Sequence, residues 1–391
     1  MDLEALKEWA TPRQIEIIDA VIQCGTQSKA ATHLNINLRT LSKSLETTKK
    51  SAARQGWSPD HDMVHSAPNT HVVKGVSTFY DEDGKPIRQW VKTDLKKESQ
   101  EALLKAFADG LIETLPKYQP LNHTHIEHHS ETITAYVIGD AHIGMLSTNT
   151  RNRDSGEWNL EIAERVTLEA INKLIKASGG GDTGLMLDLG DFTHADNAQN
   201  TTTSGTQLDV DGHFSDSIAA AVRIYRQSIN MMLEAHNKVV LMMVRGNHNS
   251  NTAIVINTML KVFYEDEPRV TVLDNSSKFM SLKYGRVLIA SHHGDRMKAE
   301  RAYEYVTRSL SKEWGDTDHR YFLMGHIHHS VSKELGGMNF EWFQALPAPD
   351  AWHSDSGYGA SRSMSCIVFD SKHGEVQRHK IGIGQLEGSA F

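Results

Sequence analysis

Five short groups of residues carry side chains that could bind a divalent metal ion. They are Asp140-Ala141-His142, Gly190-Asp191, Asn247-His248, His292-His293 and His326-Ile327-His328. A carboxylate and an imidazole that converge on one pocket suit a borderline-hard divalent metal. Because Asp-x-His is a common sequence, a single group of this kind predicts little. The elements that carry all five groups decide whether they can form one site.

Most of these groups directly follow a short apolar run of the kind that forms a buried strand. The runs are Ala135–Ile138, Leu185–Leu189, Val239–Val244, Val287–Ser291 and Tyr321–Met324. Amphipathic segments separate them, at Leu160–Lys176, Ser217–Ala235, Ala253–Tyr264 and Ala299–Trp314. Strand and helix in alternation predict an α/β fold, in which ligands bind beyond the carboxyl ends of the strands. We therefore expect the five groups to collect along one rim.

The five groups, taken in order, resemble the signature of the calcineurin-like metallophosphoesterase superfamily. That signature reads Asp-x-His, Gly-Asp, Gly-Asn-His, His and Gly-His-x-His, and here it extends from Asp140 to His328. The resemblance implies a double β-sheet sandwich flanked by helices, with two divalent metal ions at its rim. With its N-terminal segment, the chain is also similar to phage-encoded phosphoesterases that carry a helix-turn-helix.

The resemblance assigns seven ligands to the two metal ions. Asp140, His142 and His328 would bind the first ion, Asn247, His293 and His326 the second, and Asp191 would bridge both. We choose His293 over His292 because the family's histidine usually precedes a glycine directly. Imidazole, carboxylate and amide ligands favour manganese, with iron, zinc or magnesium as alternatives, over calcium.

The same resemblance gives His248 the role of protonating the leaving oxygen of a phosphoester. An acid commonly follows this histidine in the family, whereas this chain has Asn249. An asparagine can orient an imidazole through its carbonyl oxygen but cannot raise its pKa as a carboxylate would. We therefore predict slow turnover of substrates with poor leaving groups.

An insertion follows Gly190-Asp191 and is placed to cover the metals. Its ionisable residues are either substrate contacts or part of a solvated loop, and both readings stay open: His194, Asp196, Asp209, Asp211 and His213. Residues 197–205 are rich in Thr, Ser, Asn and Gln, which predicts a mobile lid. Asp188, in the strand before Gly190, is expected to support the ligands from behind.

The N-terminal segment has the pattern of a helix-turn-helix. A helix opened by Pro12 ends at Gly25, and residues 27–41 then resemble two helices joined by a tight turn at Asn35. The second helix, capped by Asn37, carries basic and small polar residues against a single acid, Glu46. The predicted nucleic-acid contacts are Arg39, Thr40, Lys43, Lys49 and Lys50. The alternative is a helical bundle that binds protein, with these cations simply solvated.

Three domains are predicted: 1–58 with the helix-turn-helix, 59–130 as a linker, and 131–391 as the catalytic domain. Within the linker, Val76–Tyr80 and Ile87–Val91 flank an Asp-Gly turn and predict a β-hairpin. Helical periodicity follows over Leu95–Leu115. His123, His125, His128 and His129 then crowd a segment that we interpret as a solvated connector.

Composition excludes several classes of protein. The 391 residues include two cysteines, no long apolar run and no signal-peptide pattern, so we expect neither a membrane protein nor a disulfide-stabilised secreted one. The expected compartment is the cytoplasm, that of the host if the chain is phage-encoded. A net charge of −8 argues against coating nucleic acid everywhere but allows a local basic patch.

Three functions are compatible with these patterns. The first is a metal-dependent phosphodiesterase that cuts nucleic acid, a DNA nuclease, with DNA as partner and homo-oligomerisation left open. The second is a phosphomonoesterase or small-nucleotide phosphodiesterase. The third is a non-catalytic DNA-binding protein that keeps a structural metal site.

Overall fold

The computed structural model describes residues 3–59, 63–64, 67–68, 71–81, 85–95, 130–148, 156–349 and 360–386. The chain divides into two compact units, Met1–Ala106 and Phe107–Phe391. The predicted domain boundaries at residues 58 and 130 therefore stay predictions. Leu95, the first residue of the predicted helix over 95–115, lies in a strand instead. The rest of that helix and the histidines of 123–129 lie outside the described residues.

The first unit begins with a 3₁₀ turn, Ala5–Trp9, and three α-helices. They are α1 (Pro12–Cys24), α2 (Gln27–His33) and α3 (Leu38–Arg54). Gly25 ends α1 with a left-handed φ of 74°, and the Asn37 side chain caps α3 by accepting from the Arg39 amide at 2.8 Å. Leu6, Ile18 and Leu41 are fully buried in the core that joins these helices.

Short strands complete the first unit. Two of them, β1 (Trp57–Ser58) and β2 (Met63–Val64), pair with each other, and β3 (His71–Tyr80) pairs antiparallel with β4 (Pro86–Leu95). The second pair confirms the predicted hairpin, whose strands extend beyond the predicted ranges, to His71 on one strand and to Pro86 and Leu95 on the other.

The second unit contains a six-stranded sheet of order β15-β14-β5-β6-β7-β8. Its strands are β5 (Thr132–Ile138), β6 (Gly181–Asp188), β7 (His236–Met243), β8 (Val270–Val272), β14 (Ser363–Asp370) and β15 (Gly374–Gly382). The strands from β5 to β8 are parallel, whereas β14 and β15 are antiparallel to their neighbours. The parallel strands are connected through helices α4 (Leu160–Ser178), α5 (Phe214–Ala235) and α6 (Thr252–Phe263).

A five-stranded sheet of order β12-β13-β11-β10-β9 forms the other half of this unit. Its strands are β9 (Met280–Tyr284), β10 (Val287–Ser291), β11 (His319–Met324), β12 (Val331–Leu335) and β13 (Met338–Trp342). Helices α7 (Ala299–Ser309) and α8 (Ser311–Gly315) precede β11. The single amphipathic segment predicted over Ala299–Trp314 is thus two helices, because Leu310 leaves the helical region with φ −117° and ψ 35°.

Side chains of both sheets share one core. Val137 and Leu187 of the first sheet pack in the same cluster as Ile289 and Leu323 of the second. The opposite face of β10 and β11 packs on α7, through side chains that include Val306. Alternate side chains of these strands therefore pack on opposite faces of the sheet. The expected mixed α/β sandwich with flanking helices is confirmed for this unit. Within the described residues, no helix is long and apolar enough to cross a membrane.

Candidate metal centre

The five predicted groups lie in loops that follow strand ends of both sheets. Two clusters of ligating side chains form there, and within each cluster the ligand atoms lie within 4.8 Å of one another. The clusters are Asp140, His142 and His328, and Asp191, His293 and His326. The first cluster contains the three ligands predicted for the first ion, and the second contains His293 and His326 of the other predicted set together with Asp191, the predicted bridging ligand.

Direct distances tie the two clusters to each other. The Nε2 atom of His293 is 2.9 Å from Asp191 Oδ2, 3.1 Å from Asn247 Oδ1 and 3.8 Å from Asp140 Oδ1. On the other side, Asp140 Oδ1 is 3.4 Å from His328 Nε2. All seven side chains predicted as ligands are therefore brought together.

Backbone amides fix both carboxylates. The His326 amide donates to the two oxygens of Asp140 at 3.1 and 2.9 Å, and the His248 amide donates to Asp191 Oδ1 at 2.7 Å. Asp140 is fully buried and Asp191 is 2% exposed. Their orientation is thus set by the fold itself.

The two buried carboxylates of this site favour positive charge beside them. Burial alone would raise the pKa of Asp140, but the nearby charges of His328 and His293 outweigh burial and lower it. Burial would likewise lower the pKa of His293, but Asp191 and Asp140 raise it to about 10. Among the described residues, the ion-pair partners of these two carboxylates are imidazoles. Two buried carboxylates beside histidine and asparagine side chains fit divalent metal ions, which would offset the buried negative charge.

Two glycines of the sequence groups are required by close approach. A Cβ atom on Gly246 would lie 1.9 Å from Asp191 Oδ1, and one on Gly325 would lie 2.5 Å from Asp140 Oδ2. Both contacts are sterically forbidden, so any side chain at either position would displace a carboxylate.

Four of the clustered residues have a left-handed backbone. The φ angles are 43° for His142, 53° for Asp191, 73° for His326 and 56° for His328. This conformation is uncommon for residues other than glycine and is found where the surrounding structure determines it. It turns the side chains of i and i+2 residues, such as Asp140 and His142, into one pocket.

The structure differs from the expectation for Asn249. Its Oδ1 atom accepts hydrogen bonds from the amides of Asp191, at 3.1 Å, and Gly246, at 2.9 Å. The imidazole of His248 is held instead by the carbonyl oxygen of His194, to which Nδ1 donates at 2.9 Å. Asn249 therefore positions the loop that carries Asp191 and does not orient His248.

His194 is the residue of this centre to which the sequence assigned no definite role. It is 2% exposed, its Nδ1 lies 3.1 Å from Nδ1 of His142, and it forms a third cluster with His142 and His248. The one signal in the sequence is its position three residues after Asp191. No periodicity distinguishes such a residue from a loop histidine.

The neighbouring histidines 292 and 293 have separate surroundings. His292 accepts from the Gly294 amide at 3.0 Å and packs on the ring of Phe279, and burial lowers its pKa to about 4. His293 alone of the pair lies in the cluster, as the sequence analysis chose.

Several ionisable residues in and near the insertion after Asp191 form hydrogen bonds that hold neighbouring backbone segments in place. Asp196 accepts from the Asn251 and Thr252 amides, at 2.8 and 2.9 Å, and Asp211 accepts from the Leu160 amide at 2.8 Å. His213 precedes the first residue of α5, and its own amide donates to Asp216. Asp188 accepts from the hydroxyl of Tyr225 and the amide of Gly190, and burial raises its pKa to about 7. The predicted mobility of residues 197–205 stays a prediction.

A cavity of about 910 Å³ opens over the two clusters. Its lining includes the polar, uncharged residues Thr202, Ser204, Thr206 and Gln207, together with Asp209. Arg362 also lines the cavity and stays cationic at neutral pH, although burial lowers its pKa to about 10. The cavity therefore combines a cation, neutral hydrogen-bonding groups and the clustered ligands.

The predicted nucleic-acid residues lie on α3 of the first unit. All five are exposed: Arg39, Thr40, Lys43, Lys49 and Lys50. Lys50 forms an ion pair with Glu46 at 2.6 Å, so its charge is partly matched within the helix.

Comparisons with known proteins find similarity in solved structures alone. No protein-family model and no curated protein matches the sequence. A novel archaeal phosphodiesterase is 13% identical, with 64% of this chain and 99% of that chain covered and a TM-score of 0.32. The phosphoesterase Yfce from E. coli is 13% identical, with 63% and 98% covered and a TM-score of 0.30. Vps29 from Entamoeba histolytica, complexed with zinc, is 15% identical, with 64% and 99% covered and a TM-score of 0.27.

Phosphoesterases are thus among the structures that the chain resembles. The geometry of the seven clustered residues, rather than these distant likenesses, supports the proposal below.

Proposed function

We propose that this protein is a dinuclear-metal phosphodiesterase that hydrolyses nucleic-acid phosphodiester bonds, with DNA as its substrate. The observation that supports this most is the pair of linked clusters around Asp140 and Asp191, joined through His293. Asp140, His142 and His328 would hold one ion, and Asn247, His293 and His326 the other. Asp191 would contact both ions.

A phosphodiester is anionic and repels a nucleophile of the same charge. Two divalent ions, when bound, would supply charge neutralisation and would make water acidic enough to react near neutral pH. Arg362 adds a fixed positive charge beside the same cavity. These groups together favour an anionic ester as substrate.

His248 would act on the leaving oxygen. It lines the cavity, and because its Nδ1 donates to the His194 carbonyl, Nε2 is the ring nitrogen left to deliver a proton. The backbone carbonyl of His194 thus keeps Nδ1 protonated, and the ring would deliver a proton from Nε2 in its doubly protonated, imidazolium form.

The exposed cations of α3 support DNA as the partner. Arg39 and Lys43 are one helical turn apart and can contact successive phosphates, as basic helices of DNA-binding domains do. Replacing both by alanine should weaken DNA affinity and reduce its salt dependence, while hydrolysis of a small ester stays unchanged. Equal salt slopes for the variant and the wild-type protein would contradict this part of the proposal.

One observation favours a second candidate, a phosphomonoesterase or a small-nucleotide phosphodiesterase. A cavity of about 910 Å³ has the size of a small-molecule site and would enclose a mononucleotide. In that case the cations of α3 would serve assembly rather than substrate binding.

Substrate trials with manganese separate these functions. The protein is incubated with Mn²⁺ and plasmid, single-stranded DNA or bis-p-nitrophenyl phosphate. We expect cleavage of DNA that Asp191→Asn abolishes and Asp274→Asn, at an exposed site, preserves. Hydrolysis of small esters without DNA cleavage would favour the second candidate. Complete inactivity with metal bound would favour the third function, a non-catalytic DNA-binding protein with a structural metal site.

A further inference from the structure

The β3–β4 hairpin has two different faces. Between its two bulges, Gly75 pairs with Lys92, Ser77 with Trp90, and Phe79 with Arg88. Because side chains alternate along a strand, and paired residues share a face, these residues lie on the same side of the ribbon. We call this side the aromatic face: Ser77, Phe79, Arg88, Trp90 and Lys92.

Between the two bulges, exposure follows the same alternation, whereas Tyr80 and Ile87, at the bulge next to the turn, are 43% and 55% exposed. Phe79 and Trp90 are 60% and 57% exposed, and the other side chains of the aromatic face are exposed as well. On the opposite face, Val76, Thr78 and Val91 are partly buried. The hairpin therefore uses one face for packing and leaves two large aromatic rings in solvent on the other. Two exposed rings on one small ribbon indicate a binding surface rather than a core.

Two cationic side chains lie beside the rings. Arg88 and Lys92 lie two residues before and after Trp90, about 7 Å away along the strand. Arg88 is also directly opposite Phe79. Within the described residues, neither cation has an ion-pair partner, and the five residues of the aromatic face include no acid; Asp81 and Asp94 lie beyond its two ends.

We propose that the aromatic face binds single-stranded nucleic acid, with bases stacked on Phe79 and Trp90 and phosphates held by Arg88 and Lys92. Aromatic rings interleaved with cations are the combination that single-stranded nucleic acid requires, because each nucleotide offers a flat base and an anionic phosphate. A duplex hides the faces of its bases, so stacking selects the single strand. The inference rests on nucleic acid as the substrate class of the proposed function.

A second copy of the chain fits this surface less well. A symmetric contact through the five residues of this face would bring Arg88 and Lys92 of each copy against cations, because the acids Asp81 and Asp94 lie beyond its two ends. An anionic strand neutralises these charges. The surface therefore favours a polyanion.

Binding is measured with the full chain in EDTA, so that hydrolysis plays no part. A fluorescein-labelled oligo-dT strand reports affinity by anisotropy, and a duplex of equal length serves as comparison. Phe79→Ala with Trp90→Ala should weaken single-strand binding at least tenfold and leave duplex binding unchanged. Arg88→Ala with Lys92→Ala should reduce the salt slope by about 1.4.

Matched variants keep the test specific. Ile87 is 55% exposed at the bulge next to the turn, outside the five residues of the aromatic face, and Ile87→Ala should bind oligo-dT as the wild-type protein does. Phe79→Tyr with Trp90→Phe keeps both rings and should retain affinity, and unchanged duplex binding by the alanine variant excludes misfolding as the cause of its loss. Hydrolysis of bis-p-nitrophenyl phosphate is followed separately, so failure of the enzyme assay is distinguishable from failure of binding.

Three results would overturn the inference. One is oligo-dT affinity that does not change when both rings are removed. Another is ring-dependent binding to phosphatidylserine vesicles without ring-dependent binding to oligo-dT, which would assign the face to a membrane. A third is a wild-type dimer by light scattering that Trp90→Ala dissociates while oligo-dT affinity stays the same.

Discussion

Asn249 is expected to be a major stabilising residue of the metal-binding loops. Its side chain is 1% exposed, and its Oδ1 accepts from the amides of Asp191 and Gly246. Asn249→Ala removes this acceptor and leaves two buried N–H groups without a partner. Each costs about 1–3 kcal/mol, so the free energy of unfolding should fall by at least about 2 kcal/mol.

Urea denaturation in EDTA measures this loss without any contribution from metal binding. Asn257→Ala is the matched control, because Asn257 is also buried but contributes a single hydrogen bond, from Nδ2 to the Leu273 carbonyl at 3.0 Å. That control should lose about half as much. If Asn249→Ala unfolds within about 0.5 kcal/mol of the wild-type protein, the two amides do not depend on Asn249 and the reasoning is refuted.

Asn249→Asp tests the same contacts in a second way. A carboxylate oxygen can accept from both amides, so this variant should retain the loop geometry that the alanine variant loses. Because Asn249 bonds to backbone amides and His248 bonds to the His194 carbonyl, we expect no gain on substrates with poor leaving groups. A selective gain on such substrates would restore the sequence-based expectation.

Three further predictions concern neighbouring residues. His292 has a pKa of about 4 in the folded protein, below its usual value, so its contribution to stability is present at pH 8 and is lost as the pH falls through 6.5 towards 4. Between pH 8 and pH 5 the free energy of unfolding, measured by urea denaturation, should fall by about 2 kcal/mol less in His292→Asn than in the wild-type protein. An equal fall in both would contradict this. His194→Ala removes the ring beside His142 and should weaken manganese affinity by calorimetry about 10–100-fold, whereas His329→Ala should not; equal affinities would refute the contact. Gly246→Ala forces a Cβ to within 1.9 Å of Asp191, so it should abolish manganese binding while far-UV circular dichroism stays native, and normal binding would refute the close approach.

Local sequence patterns were sufficient for the strands that carry the ligands. The runs ending at Ile138 and Ser291 are buried strands. Pro12 begins helix α1, Gly25 ends it and Asn37 caps the start of α3, as the conformational preferences of these residues dictate. Each of these features depends on residues close together in the chain, which is why sequence alone can predict them.

Contacts between distant segments could not be predicted in this way. Asn249 and Asp191 are 58 residues apart, and their hydrogen bond exists because β6 and β7 are neighbouring strands whose loops meet. Strand β14, which pairs with β5 across the chain, carries no motif and received no prediction. The family resemblance supplied the ligand set, but the orientation of Asn249 depends on the assembled backbone.

The left-handed backbone at His142, Asp191, His326 and His328 limits how this site can change in evolution. β-Branched residues almost never adopt that conformation, whereas asparagine, aspartate, histidine and glycine do so at lower cost. Single-step replacements that keep the loop folded are therefore confined to a few residue types, most of which still offer a ligand atom. A lineage could exchange one metal for another here far more readily than it could convert the pocket into an apolar one.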